Sequence, residues 1–127
     1  MRDDHVVRII VVGAGEVGTY VADRLSREDH DVVLIEIDRA RFRELDQEME
    51  ELDVLKVRGS GTDPEILQQA NVEDADLLVA VTHGDEVNIL CALLARKKGV
   101  PKTVVRGESR TLRRAQSAEL FAGADDH

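Results

Sequence analysis

IIVVGAGEVG, residues 9–18, is the stretch of sequence that decides the fold. An apolar, β-branched run ends here in three glycines with the spacing G-x-G-x-x-G, and a helix-like pattern follows. Gly13 allows a tight turn out of the strand, Gly15 leaves the main chain open to a pyrophosphate, and Gly18 lets the helix pack closely. The free amides at the start of the helix then face an anion, aided by the helix dipole.

A carboxylate follows at the distance expected for ribose binding. The second β-branched run, residues 31–35, ends in Glu36, which lies 21 residues after Gly15. An acid about 20 residues beyond such a turn accepts hydrogen bonds from ribose hydroxyls. The two features together predict binding of a dinucleotide or an adenine nucleotide. The alternative is a βαβ unit whose glycines serve packing alone.

Length and composition limit the possible functions. The 127 residues suit one domain and are too few for both a complete dinucleotide-binding domain and a catalytic domain. A formal net charge of −9 disfavours nucleic acid and anionic membrane surfaces as partners. The lone cysteine excludes an internal disulfide and suits a reducing cytosol. No apolar run reaches the roughly 18 residues of a membrane span, so direct membrane insertion is not expected.

Strand and helix patterns alternate along the chain. Strands are predicted at 8–12, 31–36, 54–58, 75–82 and 103–106, and helices at 16–26, 39–52, 64–70, 87–98 and 110–121. Asp38 is expected to cap the second helix, and Thr62 or Asp63 the third. Short right-handed crossovers then give an α/β, Rossmann-like doubly wound parallel sheet with strand order 3-2-1-4-5. Ligand is expected where the order switches, with loops 13–18, 36–39 and 82–85 converging and turn 59–62 beside them.

Two helices carry patterns that need further interpretation. The first helix is expected to turn Val17, Val21, Ala22 and Leu25 inward. Between residues 87 and 95 only Asn88 is polar, although a one-sided surface helix would not be apolar all round. The surplus face of helix 87–98 therefore predicts a homo-oligomer contact, and a deeply buried helix is the alternative.

No catalytic or metal-binding constellation is predicted. The acids between residues 44 and 51 are more typical of a solvated helix face than of a metal site. His83 lies beside a predicted ligand loop, but the sequence assigns it no partner that would make it an acid or base.

Five blocks of sequence stand together at a specific spacing. They are VVGAGEVG (11–18), LIEID (34–38), GSGTDPEIL (59–67), ADLLVAVT (75–82) and DEVN (85–88). Over about residues 8–125 the chain resembles the RCK-N or TrkA-N domain, the N-terminal nucleotide-binding domain of Trk/Ktr-type potassium-uptake regulators. The third block, joined to the last two, is much more specific than the glycine hexapeptide.

The resemblance implies a non-catalytic, cytoplasmic regulatory subunit at the inner face of the cell membrane. Such a subunit binds NAD(H), or alternatively ATP or ADP, and gates a membrane-embedded potassium-translocating subunit. The family pattern continues into a sixth strand, further helices and a C-terminal ligand domain. We therefore expect residues 1–127 to be a single nucleotide-binding domain with the sixth strand truncated and the C-terminal domain absent.

The resemblance also assigns roles to individual residues. The glycine turn holds phosphates, Glu36 the ribose hydroxyls, Asp38 and Arg39 flank the adenosine, Thr82 forms a wall, and Arg106 reaches the phosphate end. The full candidate set is Gly13, Ala14, Gly15, Glu16, Val17, Gly18, Glu36, Ile37, Asp38, Arg39, Gly59, Ser60, Gly61, Thr62, Thr82 and Arg106. Glu36 and Ser60 each stand where the family commonly has Asp. The longer carboxylate of Glu36 still accepts from a 2′-hydroxyl and repels a 2′-phosphate.

Two enzyme readings remain open on the residues alone. One is the cofactor-binding domain of an NAD-dependent oxidoreductase, which needs a substrate domain to place the hydride acceptor. The other is a small-molecule methyltransferase, which also uses a glycine loop and an acid at the end of strand two. Hydride or methyl transfer would favour these readings, whereas binding without turnover favours the regulatory domain.

Overall fold

Five parallel strands in the order β3-β2-β1-β4-β5 form the central sheet of the structure, a computed structural model that describes residues 6–107. The strands are β1 (Arg8–Val12), β2 (Asp31–Glu36), β3 (Val54–Arg58), β4 (Leu77–Ala80) and β5 (Lys102–Val105). The helices are α1 (Glu16–Arg27), α2 (Arg39–Glu48), α3 (Pro64–Gln69) and α4 (Asp85–Lys97), with a short 3₁₀ turn at Val72–Asp74. The predicted helix 110–121 lies outside the described residues.

The predicted fold class and strand order are confirmed. β1 pairs with β2 on one side and with β4 on the other, and Val12 lies opposite both Ile35 and Ala80. The strand order therefore reverses between β1 and β4, at their carboxyl ends. In a doubly wound sheet this is where a crevice opens for a ligand.

Helices cover both faces of the sheet because successive side chains of β1 point in opposite directions. Ile9 and Val11 belong to the core cluster under α1 and α2. Ile10 and Val12 belong to the second cluster, under α3 and α4. With both faces buried, the strands read as continuous apolar runs, as the sequence of β1 and β4 does.

Strand β4 is shorter than predicted, because it covers Leu77–Ala80 rather than 75–82. Its two ladder partners end opposite Ala80, β1 at Val12 and β5 at Val105, so β4 has no strand to pair with further on. At the other end the Asp76 carboxylate accepts a hydrogen bond from the Arg8 amide at 2.8 Å. The Asp76 amide in turn donates to the Arg8 carbonyl at 2.8 Å, so the two residues stay joined at the end of the ladder.

Helix α1 does not bury Val17, which is a correction to the predicted inward stripe. The Val17 side chain is 45% exposed, whereas Gly18 and Ala22 are the buried positions of the helix. Val17 lies in the first turn, which projects beyond the sheet edge at the crevice. Val21 and Leu25 pack against the core as expected.

Helix α4 begins two residues earlier than predicted and ends at Lys97. Its inner side is deeply buried, and Val87, Leu90 and Leu93 are exposed on the other side by 39%, 46% and 37%. We call these three residues the α4 apolar face. Its role as a subunit contact stays a prediction. None of the helices within residues 6–107 is long and apolar enough to cross a bilayer.

Candidate functional site

An open cavity of about 1090 Å³ lies at the carboxyl ends of β1, β2 and β4. The loops that the sequence predicts to converge, together with the turn after β3, all contribute to its wall. The candidate residues that line it are Gly13, Ala14, Gly15, Glu16, Val17, Glu36, Ile37, Asp38, Gly59, Ser60, Gly61, Thr82 and Arg106.

Three candidate residues lie outside the cavity wall. Gly18 lies beneath the glycine turn, where an added Cβ would come within 1.7 Å of the Gly13 carbonyl oxygen. Arg39 is exposed at the start of α2. The Thr62 hydroxyl is paired with the Ser60 Oγ atom at 2.7 Å and helps to shape the turn after β3. The structure therefore does not bring these three residues to the wall.

At two of the three glycines of the turn, any other residue would be strained. Gly13 has φ +107°, and a Cβ there would come within 3.0 Å of the Thr82 amide nitrogen. At Gly18 a side chain would collide with the Gly13 carbonyl, so the residue must be glycine. Gly15 differs, because a Cβ built on it meets nothing within 4 Å. The main chain at Gly15 therefore stands open on the cavity side.

The first turn of α1 presents unpaired backbone donors to the cavity. Gly15 is the N-cap residue, and no side-chain cap bond is formed there. The first amides of a helix have no partner within the helix, and at this end the helix dipole favours an anion. Glu16 is exposed in the same turn and lines the cavity. Its carboxylate has room to point outward.

The carboxylate of Glu36 bridges two loops of the site. Its Oε1 atom accepts from the Ala14 amide and its Oε2 atom from the Asp38 amide, both at 2.8 Å. Each oxygen of an ionised carboxylate accepts two hydrogen bonds, so each keeps one position free. Asp38 occupies the N-cap position of α2, but its side chain makes no cap bond, contrary to expectation. Asp63 does cap α3, through the Glu65 amide at 2.9 Å.

Arg41 was missed by the sequence analysis. Its Nε atom donates to the Ala14 carbonyl at 2.7 Å, and its side chain lines the cavity. Its Nη atoms donate to Glu44 and Glu48. The hydrogen bond from Arg41 holds the pKa of Glu48 below its ordinary value. Glu44 and Glu48 are nevertheless 62% and 47% exposed, as expected of a solvated helix face, and they pair with Arg41 in addition. The spacing of Arg41 from these two acids was a signal for the pairing, but nothing in the sequence points to Ala14.

Asn88 was also missed, although it is the lone polar residue of an apolar run. It is fully buried. Its Oδ1 atom accepts from the amide and hydroxyl of Thr82, at 2.9 and 2.7 Å, and its Nδ2 atom donates to the Thr82 and Arg106 carbonyls, at 3.1 and 2.9 Å. Asn88 thus fastens the ends of β4 and β5 to α4. A single polar side chain in an otherwise apolar helix was the available signal that Asn88 makes buried hydrogen bonds.

The remaining wall residues come from elements that the sequence analysis assigned to the core or left without a role. Tyr20 of α1 is 64% exposed and lines the cavity, and Val87 of the α4 apolar face lines it too. Val12, Ile35 and Val81 also line the wall, together with His83 and Gly84 of the predicted loop 82–85. Tyr20 lies on the polar side of α1, where hydrophobic periodicity does not distinguish a residue that lines a cavity from one that is only solvated.

Comparison with known proteins agrees with this geometry. The family model for the TrkA-N domain matches residues 9–126. This chain belongs to the TrkA-N domain family. The TrkA-N domain is 43% identical over 103 residues to the Trk system potassium uptake protein TrkA homolog of Archaeoglobus fulgidus, covering 81% of the chain and 22% of that protein. It is 44% identical over 89 residues to TrkA of Halomonas elongata, covering 70% of the chain and 19% of that protein. The chain therefore spans about a fifth of these curated relatives.

Solved structures share the fold of this TrkA-N domain at low sequence identity. The TrkA-N domain of the inner membrane protein ybaL from Escherichia coli superposes with a TM-score of 0.63 at 23% identity, over 91% of this chain and 97% of that one. The GsuK channel bound to NAD gives 0.68 at 24% identity, over 91% and 21%. The C-terminal domain of Shewanella denitrificans Kef in AMP-bound form gives 0.68 at 22%, over 93% and 68%.

Proposed function

We propose that this TrkA-N domain binds NAD(H), with ATP or ADP as the alternative, and is the nucleotide-sensing part of a potassium-uptake system. The observation that carries the proposal is the cavity itself. It brings together the uncapped first turn of α1 and a carboxylate with two free acceptor positions. Anion and ribose diol are the two recognition elements that every adenosine diphosphate ligand supplies.

The ligand lies across the carboxyl ends of the strands. Its diphosphate meets the amides of Glu16 and Val17 at the bare main chain of Gly15, and its adenosine ribose meets Glu36. The adenine extends between Ile37 and the turn after β3, which is lined by Gly59, Ser60 and Gly61. Beyond the diphosphate, Thr82 and Arg106 border the part of the cavity that a second nucleoside or a terminal phosphate would fill.

Regulation follows as a population shift. A nucleotide that binds one arrangement of the assembled subunits more tightly favours that arrangement, and its leverage equals its difference in affinity for the two. The α4 apolar face is the proposed homo-oligomer contact, and the partner is a membrane-embedded potassium-translocating subunit. The domain itself would act from the cytoplasmic side without entering the membrane.

The relatives support the potassium context of the proposal. Both are named as Trk system potassium uptake proteins, and they match more than two thirds of this chain at over 40% identity. The GsuK channel bound to NAD and the Kef C-terminal domain in AMP-bound form share the fold of this domain.

A titration panel tests the ligand class. NADH, NAD, ATP, ADP and NADPH are each titrated into the protein by calorimetry at low and at high salt. We expect binding of the first four and markedly weaker binding of NADPH, because Glu36 repels the 2′-phosphate. Incubation of NADH with candidate hydride acceptors should give no turnover. Failure of all five ligands to bind would overturn the proposal, and hydride transfer would replace it with an oxidoreductase.

A further inference from the structure

Both backbone polar groups of Ala14 are held by side chains from two other elements, β2 and α2. The amide donates to Glu36 Oε1 at 2.8 Å, and the carbonyl accepts from Arg41 Nε at 2.7 Å. Ala14 is fully buried between Gly13 and Gly15. Glycine neighbours supply no side-chain restraint of their own. The Gly13 amide also donates to the Ile35 carbonyl at 2.9 Å, so the two side-chain contacts at Ala14 act together with a main-chain bond to hold the turn.

The far end of Arg41 is fixed as firmly as its Nε atom. Nη1 donates to Glu48 at 2.5 Å and to Glu44 at 2.9 Å, and Nη2 donates to Glu48 at 2.9 Å. A guanidinium is planar, so the two-pronged bond to Glu48 determines where Nε points. The Arg41 side chain is 25% exposed, whereas its acidic partners are 62% and 47% exposed. The acids anchor the arginine from the solvent side.

We propose that Arg41, clamped by Glu48 and Glu44, is a positioning residue that holds the glycine turn in its phosphate-binding shape. It acts through the Ala14 carbonyl and so sets where the amides at the start of α1 point. The inference rests on the proposed nucleotide function and adds to it a control point on α2, outside the loops that touch the ligand. Glu48, which lies outside the cavity wall, acts only through Arg41.

Paired titrations with ADP and adenosine test the role of Arg41. Arg41→Ala should weaken ADP binding about tenfold, the size of one lost charge-assisted hydrogen bond, and leave adenosine binding unchanged because adenosine carries no phosphate. Arg41→Lys keeps the charge but has no planar fork, so it should not restore ADP binding. Arg43→Ala is the matched control, since Arg43 is exposed on the same helix and lies outside the cavity wall. Its ADP affinity should equal that of the native chain.

A double-mutant cycle tests the chain of contacts from Glu48 to the turn. Glu48→Ala should weaken ADP binding severalfold in the native background and have no effect in the Arg41→Ala background. Tighter ADP binding by Glu48→Ala would overturn the inference, because it would show that Arg41 is a phosphate ligand withheld by Glu48. ADP binding by Arg41→Lys as tight as that of the native chain would also overturn it. Equal losses of ADP and adenosine affinity in Arg41→Ala would do the same.

The outcomes separate this inference from the proposed function. If the native chain binds ADP and Arg41→Ala binds it equally well, only the positioning role fails. If the native chain and Arg43→Ala both fail to bind ADP or NADH, the nucleotide function fails and the positioning role falls with it. Thermal unfolding of each variant confirms that the titrated proteins are folded.

Discussion

At the scale of single residues, the three glycines of the turn perform different tasks. Gly13 and Gly18 are required by the backbone, because a Cβ at either position would press on main-chain atoms. Gly15 faces open space. Substitutions at these positions should therefore separate folding from binding.

Gly15→Asp should abolish nucleotide binding without unfolding the domain. The new side chain has room, and Gly15 has a φ of −79° that any residue adopts. Its bulk and negative charge lie where the diphosphate approaches. Calorimetric titration with ADP and a thermal melt followed by circular dichroism check the two halves of the prediction. Retained affinity would count against the site.

Gly18→Ala should show the opposite behaviour. Its Cβ would lie 1.7 Å from the Gly13 oxygen, so α1 must move away from the turn. We expect a loss of about 3 kcal/mol in the free energy of unfolding, measured by urea denaturation, as for other overpacked sites. Unchanged stability would mean that α1 has more freedom against the turn than this contact allows.

Glu36→Ala should weaken NADH and ATP alike, by about tenfold, since both ligands present the same ribose to the same carboxylate. Glu50→Ala is the matched control, because it removes the same charge from an exposed position at the end of α2. Titration of both ligands into both variants provides the measurement. Unaltered affinity of Glu36→Ala for the two ligands would refute the ribose role.

At the scale of elements, the buried side of α4 packs against the sheet and is hydrogen-bonded to the ends of β4 and β5. Asn88 supplies the polar part of that junction and Cys91 part of the apolar packing, and both are buried. An amide with all of its bonds made in a dry site is costly to remove, because its partners are left unpaired.

Asn88→Ala should lower the free energy of unfolding by about 3 kcal/mol, because the Thr82 amide and the Arg106 carbonyl lose their partner inside the protein. Lys97→Ala, an exposed change on the same helix, should have little effect. Urea denaturation of both variants is the measurement. Equal stabilities would show that water replaces the amide at no cost.

Burial raises the pKa of the Cys91 thiol to about 11, from an ordinary value of 9.0. The folded chain therefore keeps this proton at a pH where the unfolded chain releases it. The resulting stability is fully present below pH 9 and is lost as the pH rises towards 11. The free energy of unfolding of the native chain should fall more steeply over this range than that of Cys91→Ala. Parallel slopes would contradict the burial argument.

At the scale of the whole molecule, the α4 apolar face is the surface proposed to join subunits. Leu90→Arg places a charge at its centre and should shift the assembly towards monomer in sedimentation velocity. Leu55→Arg is the control, because Leu55 is 51% exposed on the distant strand β3. An unaltered profile for Leu90→Arg would remove the interface.

The sequence predicts the sheet order and the convergence of three loops, with the turn after β3 beside them, because both follow from local patterns and chain connectivity. Periodicity places the strands, and the crossover rule orders them. The sequence does not predict the bond from Arg41 to Ala14 or the bonds from Asn88 to the ends of β4 and β5. These contacts join residues brought together only after the sheet has formed. The exposed position of Val17 was missed for the same reason, since the helix pattern does not show where the sheet stops.

Val87 is part of the cavity wall and part of the α4 apolar face. Whatever occupies the crevice can thus touch a side chain that a neighbouring subunit would also cover. Thermodynamic reciprocity then requires that assembly alter nucleotide affinity by the same factor by which nucleotide alters assembly. The dissociation constant should accordingly drift with total protein concentration in the native chain and stay fixed in Leu90→Arg.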